Sequence, residues 1–233
     1  SDGTNSTTQD ITVNVTNVND VAPEFTSDAA FSAAENQTAI GTVTATDAEG
    51  DDVAFSISGD ELAITSAGVL TFVSAPDYET KASYTATVTA SDGTNSTNQD
   101  ITVNVNNLND NNPVITSNNS FTADENQTAI GTVTATDADG DDVTFTVSGT
   151  ELEITSAGVL TFVSAPDYET KATYTATVTA SDGTNSTTQD ITVNVTNVND
   201  VAPEFSSDAA FSAAENQTAI GTVTATDAEG DDV

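Results

Sequence analysis

A period of 90 residues governs this chain. The string SDGTN begins at residues 1, 91 and 181, and ENQTAIGTVTATDA begins at 35, 125 and 215. Self-similarity at a fixed period means that one small supersecondary plan is used again and again, so the fold must close within 90 residues. A second layer lies on top. Residues 181–233 reproduce residues 1–53 with Thr26 replaced by Ser206, whereas residues 91–110 differ from 1–20 at three positions. The units therefore alternate, A then B, with a super-period of 180. Boundaries fall at 1–20, 21–110, 111–200 and 201–233, with the two outer segments incomplete. The chain opens and closes in mid-unit without an initiating Met, as a window cut from a longer protein does.

Within each unit the apolar residues alternate. YTATVTAS at 84–91 puts Tyr84, Ala86, Val88 and Ala90 on one side and threonines on the other. Ile101, Val103 and Val105 do the same, as do Val53, Phe55 and Ile57. Alternation at period 2 predicts strands with one buried and one wet face. Turn signals at 49–52, 66–68, 75–77 and 91–93 separate them, and no segment carries an apolar period of 3.6. About seven short strands per unit predict an all-β fold, a two-sheet sandwich of the immunoglobulin class.

Composition excludes much. There are 37 acidic residues, two lysines (Lys81 and Lys171), and no Arg, His or Cys, for a net charge of −35. Gripping nucleic acid needs cationic side chains to displace counterions, and an anionic membrane surface repels such a chain. Without Cys or His there is no disulfide framework, no thiolate or imidazole metal site, and no Ser/His or Cys/His catalytic set. Oxygen donors remain, and those are the ligands of hard cations. Acidity alone has a simpler use as a solubilising surface, but these acids cluster.

In the second segment the clustered acids are Glu35, Asp47 with Glu49, Asp77 with Glu79, and Asp92. The third segment repeats them at Glu125, Asp137 with Asp139, Asp167 with Glu169, and Asp182. All fall at strand ends, which collect at the two poles of a sandwich. Two carboxylates about 4 Å apart repel by roughly 4 kcal/mol at an effective dielectric near 20. Several held together call for a cation among them.

These motifs resemble those of cadherin repeats, specifically the tandem cadherin-like domains of large bacterial surface proteins. AEN at 34–36 is similar to the family's glutamate motif, DYE at 77–79 to its Asp-x-Glu motif and DAD at 137–139 to its Asp-x-Asp motif. ASD at 180–182 matches the late aspartate, and NLNDNNP at 107–113 resembles the family's linker. The resemblance covers the whole chain. It implies Greek-key sandwiches in a linear array, with Ca²⁺ at each connector, three ions in the full pattern.

For the 107–111 connector the resemblance implies Glu35, Asp77 and Glu79 as upstream ligands. The connector itself supplies Asn107, the Leu108 carbonyl, Asn109, Asp110 and the Asn111 carbonyl, and Asp137, Asp139 and Asp182 complete the set. Seven carboxylates then face three divalent ions, near neutrality. The first connector would use Asn19, Asp20 and Val21 with Asp47, Glu49 and Asp92. The third would use Glu125, Asp167 and Glu169 with Asn199, Asp200, Asp227 and Glu229. Two departures stand out. The first linker aspartate is Asn at 17, 107 and 197, and the Asp-x-Asp motif of unit A is DAE, so A-type and B-type connectors differ. The 107–111 connector, flanked by both complete units, is expected to be filled most fully.

The resulting expectation is a non-enzymatic, extracellular, calcium-stiffened spacer or fibre segment whose partners are calcium ions and neighbouring repeats of the same chain. The alternative is a calcium-dependent adhesion module that recognises identical chains or a polysaccharide. Other patterns argue for less. Asp77 and Glu79 lie too close along one segment for a glycosidase pair. Thr42, Thr44 and Thr46 make an ordinary wet strand face. The Asn-x-Thr/Ser triplets at Asn36, Asn95 and Asn126 are what a chain rich in Asn and Thr contains by chance.

Overall fold

The computed structural model describes residues 2–230; Ser1 and residues 231–233, the extreme ends of the two incomplete segments, lie outside them. Two compact units emerge, Ser1–Leu108 and Asn109–Val233. Among the described residues every regular element is a strand.

In the first unit the strands are β1 (Glu24–Phe25), β2 (Ala30–Ala34), β3 (Ala39–Thr42), β4 (Ala45–Thr46), β5 (Ala54–Ile57), β6 (Leu62–Ile64), β7 (Val69–Phe72), β8 (Ser83–Ser91) and β9 (Ser96–Asn106). They form a four-stranded sheet in the order β2-β9-β8-β5 and a three-stranded sheet β3-β7-β6, with β1 and β4 as a short separate pair. The first-to-last pairing, β2 on β9, is parallel, with Phe31 opposite Val103. The long hairpin β8–β9 is antiparallel and runs from Ser83↔Asn104 to Ser91↔Ser96. This is an immunoglobulin-like sandwich. It has nine strand segments rather than seven, because the chain breaks step between β1 and β2 and again between β3 and β4.

The alternating residues are where the pattern predicts. Val88, Ala90, Ile101, Val103 and Val105 are buried, and Leu70, Phe72 and Val43 complete the core from the other sheet. Phe72 and Tyr84 meet edge to face with ring centres 5.1 Å apart, a favoured aromatic geometry. One glycine is obligatory. Gly68 sits at φ +85°, and a Cβ there would lie 2.2 Å from the Val43 carbonyl oxygen, while the Val43 N–H donates to the Gly68 carbonyl at 2.8 Å.

The second unit repeats the plan with β10 (Val114–Ile115), β11 (Ser120–Asp124), β12 (Ala129–Thr132), β13 (Ala135–Thr136), β14 (Thr144–Val147), β15 (Leu152–Ile154), β16 (Val159–Phe162), β17 (Thr173–Ser181) and β18 (Ser186–Thr196). Its sheets are β11-β18-β17-β14 and β12-β16-β15, around Leu160, Phe162, Val178, Ile191 and Val193. Beyond it, among the described residues, one short ladder forms, β19 (Glu204–Phe205) on β20 (Ala225–Thr226).

Candidate metal-binding poles

The sandwich topology delivers acids to the poles. In the first unit Glu35 follows β2 directly and is only 2% exposed. Burial of a charge at that depth demands partners, and it has two backbone N–H donors: Tyr78 to Oε2 at 2.8 Å and Leu108 to Oε1 at 2.7 Å. Glu125, 4% exposed, repeats this with Tyr168 at 2.8 Å and Val198 at 2.7 Å. The glutamate thus ties the Asp-x-Glu loop to the start of the connector. The next residue, Asn36 or Asn126, turns the chain at φ 62°, which Asn tolerates better than most residues.

Around Glu125 the second unit gathers more charge. Carboxylate oxygens of Glu125, Glu169 and Asp200 all lie within 4.8 Å of one another. Loss of hydration there, with the charges of Glu125, Asp167 and Glu229, raises the Glu169 carboxyl above its ordinary value despite a backbone hydrogen bond. The Asn126 amide donates to Asp200, and the Asp200 and Val201 N–H groups donate to Glu229 Oε1. Asp167 stays out of this group: its oxygens accept from Thr170 N and Oγ1 at 3.1 and 2.9 Å, as Asp77 accepts from Thr80. Asn107 and Asn199 lie exposed in their connectors.

At the opposite pole of the second unit, Asp137, Asp139 and Asp141 bring oxygens within 4.8 Å of one another. Asp139 Oδ2 accepts the N–H groups of Asp110 and Asn111 at 3.1 and 2.9 Å. Asp182 Oδ1 caps the hairpin turn through Thr184 and Asn185 N–H, both at 2.6 Å. Loss of hydration pushes the Asp182 carboxyl up, but those N–H groups and the amides of Asn109 and Asn185 outweigh it and hold it below the ordinary value. The Asn185 amide reaches Asn109 Oδ1 at 2.8 Å and the Asn111 carbonyl at 3.1 Å. The first unit builds the same pole from Asp47, Glu49 and Asp51, with Glu49 on the Asp20 and Val21 N–H groups and the Asn95 amide on Asn19 Oδ1 at 2.7 Å. Asp92 plays the part of Asp182.

Asn95, Asn185, Asn126, Asp51 and Asp141 were not singled out from sequence as members of these poles. The signal for the first two was present: SDGTN places an amide three residues after the late aspartate, where an Asx turn aims it back. Asp51 and Asp141 follow the Asp-x-Asp/Glu motif at the same two-residue step.

The donor set suits a hard divalent cation. It is all oxygen, and several oxygens lack a partner although they are buried: Asp47 Oδ2, Asp137 Oδ2, Asp182 Oδ2 and Glu229 Oε2. Buried acceptors without donors are rare in proteins and call for an explanation such as an ion. Both lysines are committed elsewhere, Lys81 to Glu61 and the Tyr84 ring, Lys171 to Glu151 and the Tyr174 ring.

Comparison with known proteins agrees with the fold. Residues 109–196 match the family model described as a bacterial Ig domain. Among solved structures, mouse cadherin-23 EC22-24 superposes with a TM-score of 0.71 at 23% identity, over 90% of this chain and 78% of that one. The protocadherin gammaB4 extracellular domain gives 0.66 at 25% identity, over 93% of this chain and 40% of that one. The chain consists of cadherin-like repeats in tandem. Human protocadherin Fat 1 is 32% identical across 96% of the chain, and the mouse cadherin EGF LAG seven-pass G-type receptor 1 is 28% identical across 95%. The cadherin-like repeats span only 6% and 8% of those two proteins' lengths. Among the described residues no helix is long and apolar enough to cross a membrane.

Proposed function

We propose that this segment is a calcium-stiffened extracellular spacer, a stretch of stalk or fibre in a repetitive surface protein, built from complete repeats at 21–110 and 111–200. The observation that carries the reading is the set of buried carboxylate oxygens without donors, Asp137 Oδ2 and Asp182 Oδ2 above all, beside a connector already gripped through its N–H groups. Calcium supplies the missing positive charge, with the ligands inferred from sequence for each connector. The chain's own residues do the rest. Glu35 and Glu125 hold the connector's start, Asp139 and Glu229 hold its end, and Asn95 and Asn185 orient its amide oxygens. The wet sheet faces are rich in Thr and Asn, whose hydroxyls and amides bond across strands, as Thr87 does to Asp100 at 2.6 Å. The role inferred here is mechanical rather than catalytic.

Near-identity of alternate units favours a spacer, because length needs repetition and recognition needs difference. The relatives' names, cadherin and protocadherin, support the second reading, an adhesive module that pairs with identical chains. Small-angle scattering with circular dichroism, in calcium and in EDTA, tests the first. Calcium removal should change the scattering profile toward a more flexible chain while the β-signal persists, with half-effect near about 10⁻⁴–10⁻³ M as in other extracellular modules. Identical profiles overturn calcium control. Concentration-dependent dimers in calcium, lost in EDTA, favour the adhesive reading.

A further inference from the structure

The 107–113 and 197–203 connectors differ at three residues, Leu108, Asn111 and Asn112 against Val198, Val201 and Ala202, and the carboxylate facing the middle one differs too. Asn111 with Asp139 in one corresponds to Val201 with Glu229 in the next, and to Val21 with Glu49 in the first. Each carboxylate grips two successive N–H groups. Asp139 Oδ2 takes those of Asp110 and Asn111, and Glu229 Oε1 takes those of Asp200 and Val201. The second oxygens part company. Asp139 Oδ1 accepts the Asn111 amide at 3.0 Å, and the same amide reaches Asp110 Oδ1 at 2.9 Å. Glu229 Oε2 is buried with no hydrogen-bond partner. Asp200 does receive an amide, from Asn126, so the contrast lies at the second oxygen of Asp139 and Glu229.

We propose that Asn111 is a built-in cap that performs part of the cation's work, which makes the 107–113 connector less calcium-dependent than it would be with valine at that position. The proposal rests on the calcium reading above. A neutral amide bridging two carboxylates lowers their repulsion in the metal-free chain and satisfies oxygens that are otherwise stranded. Whatever stabilises the metal-free state must be given up, wholly or in part, when a cation takes the same oxygens. By linkage, affinity falls by the factor that the cap contributes. Val201 has no amide to offer, and the desolvation of Glu229 Oε2 is relieved only by an ion. Without the amide, the 107–113 connector would bind calcium at lower concentration and lose more order in its absence.

The test uses the full chain and two substitutions, Asn111→Val and Val201→Asn, each importing the side chain found in the sister connector. Backbone amide exchange at residues 110, 111, 200 and 201 is followed by NMR, first in EDTA and then through a CaCl₂ titration. Asn111→Val should speed exchange at 110 and 111 in EDTA by roughly tenfold, and lower the calcium midpoint read there by a similar factor. Val201→Asn should do the reverse at 200 and 201. Unchanged exchange and midpoint after Asn111→Val, with the native chain still responding to calcium, overturns the cap alone. Shifts of the same sign in both variants also overturn it. A native chain whose connector amides ignore calcium overturns the calcium reading together with the cap.

Discussion

Residues 6–16 and 186–196 have the same sequence, STTQDITVNVT, and opposite fates. The second copy is strand β18, paired on one side with β11 and on the other with β17, and its Ile191, Val193 and Val195 are 1%, 0% and 6% exposed. The first copy forms no strand, and Ile11, Val13 and Val15 are 82%, 78% and 91% exposed. Period-2 patterning therefore proposes a strand, and tertiary partners decide it. A third region refines the point. β19 and β20 copy β1 and β4 almost residue for residue and do pair, because both members lie within 201–230. Residues 210–214, the copy of β2, stay unpaired: β2 is held by β9, more than 60 residues along the chain.

The sharpest way to break the comparison is to charge its centre. Val193→Asp buries a carboxylate against Tyr174 and Phe121, its partners across the sheet, and should cost about 4 kcal/mol or more. Val13→Asp, the same change in an exposed segment, should cost within about 0.5 kcal/mol. Urea denaturation of the two variants measures both, and equal losses would show that residues 6–16 pack in solution.

Next in size is the gain from supplying partners. Fusing residues 111–180 ahead of Ser1 gives 6–16 the neighbours that β18 has. Each of Ile11, Val13 and Val15 should then contribute about 1.5–3 kcal/mol of burial. Hydrogen exchange should report protected amides along 6–16 in the fusion and open ones in the unfused 1–233 segment.

How far such regions were readable follows from the same contrast. Val88, Ile101 and Val103 announced their faces by alternation, and the structure buries them. Glu35, Asp137 and Asp182 were expected at strand ends, and the structure places each directly after a strand. What escaped was whatever depends on chain reversal: the parallel β2–β9 pairing, the strand breaks around β1 and β4, and the amides of Asn95 and Asn185. An Asn in an Asn-rich chain carries no mark of where its turn will aim it.

Calcium removal should sharpen the comparison more gently. Ligands inferred for calcium are held by the same sandwich that contains β18, whereas residues 6–16 stand outside any sandwich. At about a hundred times Kd, bound calcium adds about 2.7 kcal/mol per site. EDTA should therefore reduce amide protection at 191–195 by up to about a hundredfold and leave 11–15 untouched. A response at both segments would tie the calcium effect to bulk ionic strength instead.

The smallest effect concerns protons in calcium-free solution, and its sign reverses with pH. Asp182 is held below its ordinary value of 3.8 by the N–H groups of Thr184 and Asn185, so its contribution is fully present above that value and is lost as pH falls through the lower, folded one. Asp2, in the copy that lacks a sandwich, makes the same turn with Thr4 and Asn5 N–H at 2.9 and 2.7 Å, and is also lowered. Turn and titration are thus local, while strand and core are not. Glu169 and Asp141 are raised by loss of hydration and by neighbouring carboxylates, so each costs stability once ionised and relieves that cost when protonated, from above its ordinary value downward. Thermal melts in EDTA should therefore rise slightly as pH drops from 7 toward about 5 and fall again below about 4. Glu169→Gln should flatten the upper limb and leave the lower one. In calcium the upper limb should vanish as well, since a bound cation offsets the lost hydration and the repulsion that together raise Glu169. A melt that falls monotonically from pH 7 in EDTA would mean that the polar carboxylates do not strain the calcium-free sandwich.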